Sequence, residues 1–207
     1  MLEMASLGAK VMQPASIQEA RLNRIEIDVR STFTKTAGTT ITKKKNILNN
    51  NTIRGISFTR NDAKLTLIGV KDKPGIAASI FKPLYENSIN VDMVVQNVSA
   101  GGKETDLTFT IKLEDLKKTE KLVKNNKFIR FKKLIINRNV SKVSIVGVGM
   151  ITTPGITYRM FKALAKKGIN IEVISTSEIK ISVLIDKKNL KKSVEILHQE
   201  FKLNNSL

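Results

Sequence analysis

Apolar and polar positions in this chain follow two periods, and the periods come in a fixed order. Residues 65–70, LTLIGV, form a mostly apolar run long enough for one buried strand. A polar turn follows, Lys71-Asp72-Lys73-Pro74-Gly75. Ile76, Ile80, Phe81 and Leu84 then recur at helical spacing. Asn87-Ser88 ends that helix, and 91–95 is a second apolar strand. A third strand is predicted at 105–113, a helix at 116–125 with Leu116, Leu122 and Val123 inward, and a fourth strand at 128–136. The order is βαββαβ. Two right-handed split crossovers of that order make a four-stranded antiparallel sheet with both helices on one face. The predicted fold class is α+β.

The pattern recurs. Pro74-Gly75-Ile76 returns as Pro154-Gly155-Ile156, 80 positions on, and the same offset pairs Phe81 with Phe161, Leu84 with Leu164, Ile89-Asn90 with Ile169-Asn170, and Asp92 with Glu172. A recurrence this long implies two modules of one plan. In the second, 171–177 and 180–185 are strands, and Leu190, Val194, Leu197 and Phe201 make a helical stripe. No fourth strand follows before the end at Leu207. Residues 53–58, IRGISF, are an unassigned strand ahead of the first module. A bare sheet edge is aggregation-prone, so this strand is expected to complete the second sheet. Pro83 stands inside the first helix where Ala163 stands in the second. An interior Pro removes one helical hydrogen bond, and a kink is expected at 79–83.

The first 41 residues differ from the rest. Short helices are predicted within 2–11 and 17–23, and strands at 25–29 and 38–41. This stretch is too short for a core of its own and reads as the end of a larger domain. Residues 42–52 carry Lys43-Lys44-Lys45 and Asn49-Asn50-Asn51 and are expected to be a linker. The domain reading is therefore 1–45, then 62–139, then 140–207 with strand 53–58 added to the last.

Charge changes the picture less than its size suggests. The chain has 207 residues, 36 Lys and Arg against 18 Asp and Glu, and a net charge of +18. Nucleic-acid binding is one consequence of such an excess. The lysines, however, are dispersed over outer helix faces (Lys117, Lys118, Lys121, Lys124; Lys187, Lys188, Lys191, Lys192), and with 5% aromatics and no Trp, stacking platforms are sparse. A solvated basic surface is the plainer account. No apolar run reaches the length of a membrane span and no signal core opens the chain. With no cysteine there is no disulfide framework and no thiolate metal site, and the expected compartment is the cytoplasm.

The candidate chemistry is recognition rather than catalysis. A strand, a Pro-Gly loop and a helix start gather backbone N–H groups and a positive dipole end at one point, which suits a small carboxylate. In Asp72-Lys73-Pro74-Gly75-Ile76-Ala77, Pro74 pre-sets the turn, Gly75 allows close approach, and Asp72 can pair with an ammonium. An ordinary turn with a Pro-Gly helix start reads the same way. Asn90, Asp92 and Gln96 alternate on the second strand and are expected to share one face. His198, the only histidine, has no Ser, Cys or acid partner at a telling spacing, and no metal-ligand cluster or phosphate loop occurs.

The strings VKDKPGIAASIF, INVDMVVQNVS, KVSIVGVGM and INIEVISTSEIKISVLI resemble the paired ACT domains of aspartate kinases of the lysine- and threonine-regulated type. EMASLGAKVMQP, IEIDVRSTF and GTTI are similar to the last part of that family's kinase domain. Two positions depart from the family's pattern. Gln13-Pro14-Ala15 stands where His-Pro-Arg is usual, and Thr153 stands where a His precedes the second Pro-Gly. The resemblance implies an effector loop at 72–77, with Asn90, Val91, Asp92 and Gln96 beside it. It implies matching positions at Ile156, Thr157, Asn170, Ile171, Ser177 and Glu178, with Glu178 available to the ammonium of lysine.

It also implies lysine or threonine, or both, as effectors. The assembly implied is a homodimer through the ACT domains or a complex with a kinase catalytic subunit. No cofactor is implied for this chain. ATP and Mg are expected only for the full kinase, whose nucleotide-binding segment would lie upstream of Met1, so the chain alone is expected to be inactive, as a fragment or a natural short subunit. Two alternatives stand beside this: an ACT amino-acid-binding module serving another partner, and a basic nucleic-acid-associated protein.

Overall fold

The computed structural model describes residues 1–42, 52–98, 102–148, 150 and 153–203. The linker expected at 42–52 lies almost wholly outside the described residues. In chain order the elements are α1 (Leu2–Ser6), α2 (Pro14–Leu22), β1 (Ile27–Val29), β2 (Thr39–Ile41), β3 (Ile53–Lys71), α3 (Ile76–Glu86), β4 (Val91–Val98), β5 (Glu104–Lys112), α4 (Leu116–Lys124), β6 (Lys133–Gly147), α5 (Ile156–Ala165), β7 (Ile171–Thr176), β8 (Lys180–Asp186) and α6 (Leu190–Glu200).

β1 and β2 form a small antiparallel ribbon. The other six strands make one antiparallel sheet in the order β4-β5-β3-β6-β8-β7. Two strands are far longer than the pattern predicts: β3 has 19 residues and β6 has 15. β3 joins the expected strands 53–58 and 65–70, because Thr59-Arg60-Asn61-Asp62 between them contains no Gly or Pro to stop a ladder. Its first part pairs with β6, Ile53 opposite Gly147 and Phe58 opposite Val143. Its second part pairs with β6 again, Leu65 opposite Ile136, and with β5, Leu65 opposite Phe109. Register shifts on either side of Asp62 bend the ribbon at its middle, where the Thr59 hydroxyl donates to the Asp62 carboxylate. The two sheets expected from the repeat are thus one sheet, sharing β3 and β6.

Each half carries its own helix layer. Leu65, Leu67, Phe109 and Ile111 pack under Ile80 and Leu84 of α3 and Leu116 and Val123 of α4. Phe81 meets Phe109 edge-on, with ring centroids 5.4 Å apart. In the other half, Val143, Ile145, Val183 and Ile185 pack under Met160 and Leu164 of α5 and Leu197 and Phe201 around α6. A side chain of this kind contributes about 1.5–3 kcal/mol when fully buried.

One local expectation changes. The strand predicted at 128–136 begins only at Lys133. The Phe128 N–H turns back to Asn126 Oδ1 at 2.9 Å, leaving the Phe128 ring exposed. α3 runs from Ile76 to Glu86 across Pro83. The Ser79 carbonyl that Pro83 cannot reach accepts instead from Asn126 Nδ2 at 2.9 Å, which removes the cost of the missing N–H. No helix among the described residues is long and apolar enough to cross a membrane.

Candidate functional site

The Pro-Gly loops end up at opposite ends of the long ribbon. The first follows β3 and the second follows β6, and those strands are antiparallel. Each loop finishes in a left-handed glycine that starts a helix, Gly75 at φ +85° and Gly155 at φ +90°. This conformation is cheap only for glycine. Among the described residues, no atom beyond the immediate chain neighbours lies within 4 Å of where a Cβ would stand on either one, so both loops open outward. α3 and α5 run away from these points, and their first-turn N–H groups and dipole ends face the opening.

At the first loop, the Asp72 N–H donates to the Lys103 carbonyl at 3.0 Å and the Ile76 N–H donates to Lys73 at 3.1 Å. These bonds fix the loop backbone. Among the described residues, no hydrogen bond or ion pair engages the half-buried Asp72 carboxylate. Lys73, Pro74 and Gly75 are exposed and Ala77 is half-buried. The Ile76 side chain lies in the core, as does its counterpart Ile156, so both can offer only backbone to a ligand. Thr157 is exposed at the start of α5.

The edge strands divide the remaining predicted residues between two ends. Val98 lies opposite Thr105, and Thr105 opposite Val70, so Gln96 at the C-terminal end of β4 shares the first loop's end. Val91 lies opposite Ile111, and Ile111 opposite Ala63. Asn90 and Val91 therefore sit about 23 Å away along the strand, at 3.3 Å per residue. The second module repeats this. Ser177 and Glu178 lie past the C-terminal end of β7 on the second loop's side, and Asn170 and Ile171 lie at its start.

A β-bulge between Val91 and Val94 breaks the alternation expected for Asn90, Asp92 and Gln96. Gln96 stands opposite Leu107 of the helix-side core, while Asp92 turns to the other face and pairs with Lys142. An extra residue in one strand re-aims every side chain beyond it, and the apolar pattern gives no sign of it. Lys142 and Lys64, which the sequence reading did not single out, are the residues that engage the two matched acids.

One cavity, of about 1000 Å³, contains none of the predicted residues. It lies between Gly8–Lys10, Ile56–Asn61 of β3 and Lys112–Glu114. Its lining mixes apolar Ile56, Phe58 and Leu113 with polar Ser57, Thr59, Arg60, Asn61, Lys112 and Glu114. A smaller one of about 390 Å³ includes Asn170 with Glu172, Lys167, Lys188 and Lys192. No group of His, Cys, Asp and Glu among the described residues is arranged to hold a metal.

The ACT domain family model matches residues 65–126 and 143–201. An aspartate kinase of Pseudomonas fluorescens is 44% identical over 206 residues, covering 99% of this chain and 50% of that protein. The ligand-free regulatory subunit of aspartate kinase from Thermus thermophilus is 36% identical with a TM-score of 0.68, covering 72% of this chain and 99% of that one. A structure of aspartokinase alpha and beta subunits is 38% identical with a TM-score of 0.66, covering 73% and 99%. The chain spans about half the length of the curated relatives it matches.

Proposed function

Because this chain belongs to the aspartate kinase family, as a regulatory region of two ACT domains, we propose that it senses lysine or threonine and feeds back on an aspartate kinase catalytic partner. The observation that carries this reading is the pair of outward-open loops, each with a left-handed glycine at a helix start, one of them beside the unengaged Asp72 carboxylate. An α-amino acid offers a carboxylate to the helix N–H groups and an ammonium to the acid.

The edge strands give the reading a second half. β4 and β7 end the sheet and expose Val94, Val98 and Ile174. Antiparallel pairing with an edge strand of a second copy would set the C-terminal end of one, with Gln96, against the start of the other, with Asn90–Val91 or Asn170–Ile171. The residues that one chain separates by the length of a strand would then converge. A dimer of this chain, or a complex with a catalytic subunit, is the assembly this supports.

Calorimetric titration of threonine and lysine tests the proposal, with a DNA duplex as control. Asp72→Ala leaves the fold intact and removes a charge-assisted bond of about 1.5–3 kcal/mol. Affinity falls roughly ten- to a hundred-fold, and Asn90→Ala, which loses a neutral bond, costs less. Equal affinity in wild type and Asp72→Ala moves the site elsewhere. Tight, salt-sensitive DNA binding with no heat from either amino acid overturns the sensing reading.

A further inference from the structure

The two modules also meet through their helix-free sheet faces, and charged partners are exchanged there. Lys64-Leu65-Thr66-Leu67 and Lys142-Val143-Ser144-Ile145 are the same stretch in the two modules, 78 positions apart rather than 80 because the second loop is two residues longer. Lys64 and Lys142 are therefore counterparts, as Asp92 and Glu172 are. Lys64 Nζ reaches Glu172 Oε2 at 2.5 Å, and Lys142 Nζ reaches Asp92 Oδ2. Each module's first-strand lysine is neutralised by the other module's edge-strand acid.

Both acids are aimed by the same device. β4 bulges between Val91 and Val94, and β7 bulges between Ile171 and Val173, at matching positions. Each bulge turns an acid and its apolar neighbour toward the opposite module. The neighbours Met93 and Val173 meet Val140 and Leu184 in a buried cluster between the faces. Lys142 is 6% exposed, and Lys64 and Glu172 are 18% and 19% exposed. Asn137 Nδ2 donates to both Glu172 oxygens at 3.2 Å, completing that carboxylate's partners. Surface pairs formed by chance would not recur at symmetry-related positions on matched bulges.

We infer that this reciprocal exchange is an interlock that holds the modules face to face and links them. The lysines stand on the strands that run into the Pro-Gly loops, and the acids stand on the edge strands. A displacement of β4 moves Asp92, hence Lys142, hence the strand leading to the second loop. The interlock stands on geometry alone, and the link between loops rests on the sensing reading above.

Charge exchange within the full chain tests it. Lys64→Glu or Glu172→Lys alone places like charges together, and amide hydrogen exchange along β4 and β7 speeds up about tenfold or more. The double swap, Lys64→Glu with Glu172→Lys, returns protection to within about twofold of wild type, because only a direct pair is rescued by inversion. Double-variant losses that simply add overturn the interlock. If a reversed charge prevents folding, Lys64→Met and Glu172→Gln close the same cycle. Lysine and threonine titrations then read the link. Lys142→Met, outside both loops, weakens binding about fivefold or more, and unchanged affinity overturns the link. If wild type binds neither amino acid, the sensing reading and the link fail together, while protection still decides the interlock.

Discussion

The two modules share a plan and differ in where an acid stands near the Pro-Gly loop and in how the first helix is satisfied. The first places its acid, Asp72, on the loop itself, and the second has Glu178 just past its edge strand. Position 178 corresponds to Val98 in the first module. Under the sensing reading, the two ends then offer an ammonium partner from different elements, so the repeat is a pair of distinct sites rather than two copies of one. The helices differ as well. α5 has an unbroken backbone ladder at Ala163, whereas α3 needs Asn126, from the chain after α4, to satisfy the carbonyl opposite Pro83. The first helix is therefore held by a tertiary contact where the second is held by its own backbone.

The largest effects should erase the difference between modules. Phe109 and Leu164 are fully buried, one in each core. Phe109→Ala or Leu164→Ala is expected to cost about 3–5 kcal/mol. Because β3 and β6 cross both halves, urea unfolding should remain a single transition, with hydrogen-exchange protection lost in both modules. Loss confined to the altered module would show that the shared strands do not transmit stability.

The next effect should sharpen the contrast. Asn126→Ala strands the Ser79 carbonyl and is expected to cost about 1–3 kcal/mol. In a Pro83→Ala background the helix recovers its own N–H, and Asn126→Ala should cost less, losing there only the bond from the Phe128 N–H. Equal costs in the two backgrounds, from denaturant midpoints, would remove Pro83 from the account.

The smallest effect concerns acid. Asp186 accepts the Lys188 backbone N–H at 2.9 Å at the start of the turn before α6, and that bond above all holds its carboxyl below the ordinary carboxylate range. The matching place before α4 is Lys112, which caps nothing with its side chain. A depressed folded-state value means the contribution is present above the unfolded-state value and is lost as pH falls through the folded one. Acid should therefore loosen the turn before α6 by removing a cap that the turn before α4 does not have. The amide chemical shift of Lys188 followed from about pH 6 downward checks this, expected to move only as the pH falls below the ordinary carboxylate range.

Much of this architecture was legible because the repeat was. The offset of 80 located both Pro-Gly loops and left residues 53–58 over as a strand without a sheet, and they pair with β6. What stayed hidden followed from features without a pattern of their own. Asn90, Asp92 and Gln96 alternate cleanly in sequence, and only the ladder shows the bulge that sets Asp92 and Gln96 on different faces. Lys64 and Lys142 escaped notice because two extra residues in the second loop shift the offset to 78 before it. Comparing the modules strand by strand would have exposed them. The exchange of partners itself needs the third dimension, since no local periodicity relates position 64 to position 172.

The length of β3 also has a consequence in time. Its first residue, Ile53, pairs with Gly147, about 90 positions later in the chain. On a ribosome adding about 5–20 residues per second, the leading half of β3 waits roughly 5–20 s for β6 to appear. Every residue of the first module is made in that interval, so the first half can close while the strand beneath it is still half bare. The N-terminal segment is already present by then, and the Ser57 hydroxyl donates to the Met4 carbonyl at 2.9 Å in the finished fold. That segment is a partner synthesised early enough to shield the waiting strand.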